Sequence, residues 1–277
     1  MTLTPDQLAF FDAFGFIRLP GILKDRIDAI IEAFDQVWAE RGGGHNGKRH
    51  DHKARSCIVP FIDQHPVLCG LLDDPRVHGV ATSILGEDFN YMGSDGNFYT
   101  GDTGWHSDGA HKGIRFIKIA FYLDPLTPET GALRVIPGSH RVGDRYSDQL
   151  SAEFARRGGG AFGLNGSDLP CASYTVRPGD LMIFDHNTKH AAFGGGSNRR
   201  MFTMNLCQKY PLERIEELQD YLVGHARFLI ERNVGDVMLK TAGPQRLRHL
   251  EQVMANDFKL TAETRRRREV EPEPARG

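Results

Sequence analysis

Thr103-Gly104-Trp105-His106-Ser107-Asp108-Gly109 places an imidazole and a carboxylate two residues apart in a segment that reads as extended. Side chains at i and i+2 of a strand project from the same face, so His106 and Asp108 can converge on one point. A second, distant histidine would complete a facial set of two imidazoles and one carboxylate, the donor set of non-haem Fe(II) centres with open coordination positions. The chain has 12 histidines and 36 acidic residues, so one His-x-Asp pair carries little weight alone. Its meaning depends on whether the flanking sequence builds a sheet around it.

The sequence predicts such a sheet. From Phe89 onward, short β-like runs at 89–92, 96–100, 114–123, 133–136, 172–176, 180–184 and 200–208 are punctuated by Gly, Pro and Asp. Many short strands following a helical block predict a mainly β fold, an antiparallel sandwich or barrel with flanking helices. The run Phe116-Ile117-Lys118-Ile119-Ala120-Phe121-Tyr122-Leu123 is apolar on both faces except at Lys118, which suits a strand covered by helices on one side and lining a cavity on the other. A lysine there must pair or reach water.

Upstream, Thr4-Pro5-Asp6-Gln7 is a helix start with a capping box, and Gly15 ends that helix before a short strand at 16–19. Ile27, Ile30, Ile31, Phe34 and Trp38 mark one face of a second helix over about 23–41, and helical spacing returns over 66–72 and 75–85. Residues 42–55 read as a solvated loop in spite of His45, His50 and His52, and 142–169 as a long polar insert; either is long enough to act as a lid. A helical segment is expected over 212–258 and a disordered charged tail over 261–277, so that 1–260 form one domain with its β core at about 89–210.

At 277 residues and 40% hydrophobic content the chain can bury a sizeable core, and a formal charge of −2 offers no global field for nucleic acid or an anionic membrane. The Arg265–Arg268 run is offset by the glutamates that follow it. Four separated cysteines without Cys-x-x-Cys spacing read as buried thiols of a reducing compartment, and no leader or membrane span is evident, so the expected location is the cytoplasm.

The third donor lies downstream. Arg177-Pro178-Gly179-Asp180 turns into a strand that ends in the polar rise Asp185-His186-Asn187-Thr188-Lys189-His190, and Arg199-Arg200 open the next strand. The two strands read as a hairpin that brings a histidine for a metal close to an arginine for an anion. His186 and His190 both end the first strand.

Together, Leu3–Phe11, Gly15–Gly21, Trp105–Asp108, Thr130-Gly131-Ala132-Leu133-Arg134-Val135-Ile136-Pro137-Gly138-Ser139-His140, Pro178-Gly179-Asp180 and His190 with Arg199-Arg200 resemble the phytanoyl-CoA dioxygenase family over about residues 2–210. The resemblance implies a double-stranded β-helix (jelly roll) and a dioxygenase using Fe(II), 2-oxoglutarate and O2. It implies His106, Asp108 and His190 as iron ligands, His190 being preferred to His186 because the arginine pair then follows at the family's usual separation. It also implies Arg199 or Arg200 as partner of the distal 2-oxoglutarate carboxylate, and His140 as part of a structural turn. Asp108 favours hydroxylation, since related halogenases vacate that position.

Asn97, Tyr99 and Thr103 are further candidates for holding 2-oxoglutarate. Lys118, Arg115 and His111 are candidates for contacting a small polar or anionic substrate such as an amino acid, a phosphonate or a natural-product intermediate. A Zn or Mn jelly-roll hydrolase or isomerase, or a non-catalytic binding module, is the alternative reading of the same ligands. The arginine pair argues against the first and the complete triad against the second. The oligomeric state is left open.

Overall fold

A computed structural model describes residues 1–157 and 160–277. The N-terminal layer follows the expected signals. Helix α1 (Pro5–Phe14) starts at a capping box in which Thr4 Oγ1 accepts from the Gln7 amide at 3.2 Å and Gln7 Oε1 accepts from the Thr4 amide at 2.9 Å. It stops at Gly15, whose φ of +80° a side chain would resist. Strand β1 (Phe16–Leu19) and helix α2 (Ile27–Glu40) follow, then β2 (Ser56–Ile58), α3 (Pro66–Cys69) and α4 (Pro75–Leu85).

The β core comprises β3 (Phe89–Tyr99), β4 (Thr103–His106), β5 (Phe116–Tyr122), β6 (Arg134–Val135), β7 (Ala172–Ser173), β8 (Leu181–Asp185), β9 (His190–Ala192) and β10 (Arg199–Gln208), with α5 (Arg145–Arg157) inserted before β7. The strands form two antiparallel sheets, β1-β8-β5-β10-β3-β2 and β4-β9-β6-β7. Helices α6 (Ile215–Val223), α7 (Asp236–Lys240), α8 (Pro244–Asn256) and α9 (Phe258–Arg268) complete the chain. This is the mainly β, helix-flanked jelly roll anticipated above.

Registry in the large sheet sorts side chains by parity. Met204 pairs with Ile119 and Phe202 with Phe121, and these residues join Ile117, Leu181 and Ile183 in the core under the helices. Each such side chain removed from water stabilises the fold by roughly 1.5–3 kcal/mol. The alternate set, with Asn205 opposite Lys118 and Thr203 between Asp95 and Ala120, faces the second sheet. Lys118 thus sits on an otherwise apolar strand because its parity turns it inward.

Five expectations are corrected. Strands β8 and β10 are no hairpin, because β5 lies between them and His190 belongs to β9 in the other sheet. The separate strands at 89–92 and 96–100 are one continuous β3. Residues 42–55 are less solvated than their composition suggests: His45 is buried between the Cys57 and Pro274 carbonyls at 3.0 and 2.8 Å, and His50 lies between Ser56 and the Ser197 carbonyl at 2.7 and 2.9 Å. The polar insert carries α5, while Gly158 and Gly159 lie outside the described residues.

The tail, finally, is ordered. Its arginine run pairs with Glu231, Glu263 and Glu271, and the last residues are held by bonds from the Ala275 amide to the Arg227 carbonyl at 2.7 Å and from Arg276 to the Arg55 carbonyl at 3.1 Å. Composition alone could not reveal charge partners 34 or more residues upstream. Among the described residues no helix is long and apolar enough to cross a membrane.

Candidate active site

Strands β4 and β9 pair so that His106 lies opposite His190, with ring centroids 4.2 Å apart. Each imidazole is oriented by its own backbone: His106 Nδ1 lies 2.8 Å from the Gly104 carbonyl and His190 Nδ1 lies 3.0 Å from the Thr188 carbonyl. A carbonyl only accepts, so both rings carry the proton on Nδ1 and offer the Nε2 lone pair. Asp108, just past β4, is fixed by its amide, which donates to the His186 carbonyl at 2.9 Å. One donor atom from each of His106, Asp108 and His190 falls within 4.8 Å of the others. Two neutral imidazoles and one carboxylate suit a divalent transition metal and leave the opposite positions free for a chelating acid and O2.

Electrostatics keep this set ready to ligate. Burial pushes the Asp108 carboxyl up, but the Lys118 ammonium at 2.9 Å overrides it and holds the group well below the usual carboxylate range. Burial lowers His190 to about 4, which keeps it neutral. His186, the competing histidine, is lowered by burial to about 3 and lines the same cavity. Its Nε2 is 3.2 Å from Asn205 Oδ1, and it is not part of the metal-compatible cluster.

The set opens into a cavity of about 440 Å³ between the two sheets. At one end lies Arg199, 7% exposed, donating from Nη1 to the Gly131 carbonyl and from Nη2 to the Gly101 carbonyl, both at 2.7 Å. Its Nε is buried without a partner, and the guanidinium carbon stands 5.4 Å from the Tyr99 ring centroid. A Cβ at Gly195 would come within 2.4 Å of that Nε, so glycine is what lets the backbone cradle the guanidinium. A buried guanidinium with a donor to spare and no ion-pair partner among the described residues fits the far end of a dicarboxylic acid. Arg200 has the opposite parity and turns outward, to Asp124 at 2.9 Å and Asp35 at 3.0 Å.

The remaining candidates divide similarly. Tyr99, Thr103 and Lys118 line the cavity. Asn97 does not; it is fully buried and bonds Arg55 and Asp95 at 2.8 and 2.6 Å, acting through them. Arg115 shares the helix-facing parity of Ile117 and pairs with Asp12 at 2.8 Å at the surface. His111 stacks on Phe116 at 3.8 Å outside the cavity, its pKa lowered by burial to about 4.

Several lining residues escaped the sequence reading: Arg55, Asp95, Thr203, Asn205, Arg227 and Asn233. For Thr203 and Asn205 a signal existed, in their alternation with Phe202, Met204 and Leu206. For Arg55 and Asn233, which come from loops, and Arg227, on the short 3-10 helix Gly224–Phe228, there was none.

The family model described as phytanoyl-CoA dioxygenase (PhyH) matches residues 11–201. The chain belongs to the phytanoyl-CoA dioxygenase family. It is accordingly a dioxygenase of the class that uses Fe(II), 2-oxoglutarate and O2. Ectoine dioxygenase of Sphingopyxis alaskensis is 29% identical over 217 residues, covering 68% of this chain and 70% of that protein. Ectoine dioxygenase of Stutzerimonas stutzeri is 25% identical over 66% of this chain and 69% of its own.

Among solved structures, EctD from S. alaskensis with 2-oxoglutarate and 5-hydroxyectoine superposes with a TM-score of 0.56 at 26% identity, covering 74% of this family member and 76% of that chain. HygX from Streptomyces hygroscopicus with nickel and 2-oxoglutarate reaches a TM-score of 0.60 at 17% identity, covering 76% and 89%, and so attests the fold.

Proposed function

We propose that this dioxygenase hydroxylates a small polar or anionic molecule, with His106, Asp108 and His190 holding Fe(II) and Arg199 holding the distal carboxylate of 2-oxoglutarate. The observation that carries the reading is the cross-strand pairing of His106 with His190, both with Nδ1 committed to a backbone carbonyl and Asp108 within reach. Bound there, the metal with 2-oxoglutarate and O2 supplies the oxidising power that inserts one oxygen into a C–H bond and releases succinate and CO2.

The chain's own residues bind and orient. Arg199 with Tyr99 and Thr103 receives the 2-oxo acid at one end of the cavity. The opposite end, bounded by Tyr221, His225, Phe228 and Asn233, receives the substrate. The same reading places the enzyme in the cytoplasm, acting on a free small molecule rather than on nucleic acid or at a membrane surface.

Anaerobic reconstitution with Fe(II) and 2-oxoglutarate, followed by air, should release succinate. Screening a metabolite panel that includes ectoine should yield a product one oxygen heavier. His106→Ala and Asp108→Ala should lose both metal binding and succinate release while keeping the far-ultraviolet circular dichroism of the parent. Should either variant bind metal and 2-oxoglutarate as the parent does, the ligand assignment is wrong.

A further inference from the structure

Beyond the triad and Arg199, the cavity carries charge that holding 2-oxoglutarate does not use. Lys118 Nζ has Asp108 as its one ion-pair partner among the described residues, at 2.9 Å. Arg55 Nη2 pairs with Asp95 at 3.1 Å, and its guanidinium lies over the Tyr99 ring at 4.5 Å. Asp95 is already engaged through both oxygens: one accepts from Thr203 and the other from Asn97 at 2.6 Å and from Arg55. The sheet order β5-β10-β3-β2 sets Lys118 and Arg55 on opposite sides of Asp95, and all three line the cavity. Arg227, also on the cavity wall, has no carboxylate partner among the described residues.

On the reading proposed above, Asp108 gives its charge to the metal. Two cations, with side chains 16% and 24% exposed, then share one committed carboxylate. An excess positive charge in a half-buried wall is costly unless an anion meets it. We infer that the substrate carries an oxyanion, a carboxylate or a phosphonate, that docks between Lys118 and Arg55 with its carbon body toward Tyr221, Phe228 and Ile230. Lys118 then has two partners in turn, Asp108 in the empty protein and the substrate anion in the loaded one. This inference rests on Asp108 being a metal ligand.

The test uses full-length protein loaded with Ni(II) and N-oxalylglycine, so that Arg199 is occupied and no turnover occurs. Calorimetric titration compares cyclohexanecarboxylate and cyclohexylphosphonate with the neutral cyclohexanecarboxamide. At least one anion should bind tenfold or more tightly than the carboxamide, and the tighter of the two names the oxyanion. Lys118→Met and Arg55→Met should abolish the preference, and Lys118→Arg should restore it.

A second readout needs no ligand in the substrate site. Lys118→Met should bind Ni(II) more tightly than the parent, because a competing cation has left Asp108. Equal binding of anion and carboxamide, no binding by either anion, or a preference that survives both methionine variants overturns the inference while leaving the metal site intact. Failure of the parent to bind Ni(II) and N-oxalylglycine strikes down the metal reading, and the inference with it.

Discussion

The two faces of the large sheet are made from the same three strands, yet they do opposite things. On the face toward the helices, Ile117, Ile119, Phe121, Phe202 and Met204 close a dry core. On the face toward the smaller sheet, Lys118, Asp95, Tyr99, Arg199 and Thr203 surround a cavity. A shift of one residue along β5 or β10 exchanges one role for the other. Arg199 and Arg200 show the consequence most directly, since neighbouring identical side chains become a buried guanidinium held by backbone carbonyls and a surface ion pair. Stability and chemistry are therefore separable by parity, and substitutions on the two faces should fail in different ways.

The largest expected effect is on the apolar face. Phe202 is fully buried and stacks on Phe121 with centroids 4.5 Å apart and planes within 7°. Phe202→Ala should cost about 3–5 kcal/mol in denaturant unfolding. The fraction that stays folded should bind 2-oxoglutarate as the parent does; a large affinity loss there would mean that the faces are coupled.

Next comes the arginine pair. Arg199→Ala should weaken 2-oxoglutarate binding by about 2–3 kcal/mol, the value of a charge-assisted hydrogen-bond pair. Arg200→Ala, which removes a partly exposed ion pair, should change it by less than about 1 kcal/mol. Similar losses in the two variants would sink the parity argument.

The smallest effect tests a carboxylate on the apolar parity. Asp185 pairs across the sheet with Ile117 and is 6% exposed, and burial raises its pKa to about 6 from 3.8. The unfolded chain ionises this group first, so its contribution is complete below about pH 4 and is lost as pH rises towards 6. Asp185→Asn keeps an acceptor for the Asn187 amide but cannot ionise. At pH 7 it should be more stable than the parent by about 2 kcal/mol, with no gain at pH 3.5. An equal difference at both pH values would show that the carboxyl does not titrate in that window.

Much of the site was legible because its residues obey local rules. The His106/Asp108 spacing of two needs only an extended backbone, and the helix start at Thr4 needs only its own four residues. The order of motifs across 2–210 then tied His190 and the arginine pair to that strand. Arg55 and Arg227 were invisible because both are far in sequence from the motifs that mark the site and only the fold brings them to the cavity. The tail misled for a related reason: its charged, core-poor composition reads as disordered until Glu231, distant in sequence, is folded against its arginines.

By itself the sequence determined the class of fold and the His106/Asp108 pair, because alternation and spacing are properties of neighbouring residues, while the choice of His190 came from the family-like order of its motifs. Only the tertiary structure decided that His190 faces His106 across a strand pair in the second sheet rather than ending a hairpin. It also decided that Arg199 and not Arg200 turns inward, and that Lys118, paired with Asp108, and Arg55, paired with Asp95, line one cavity. Those outcomes depend on which strand lies beside which and in what register, and register is set by burying one face of every strand at once.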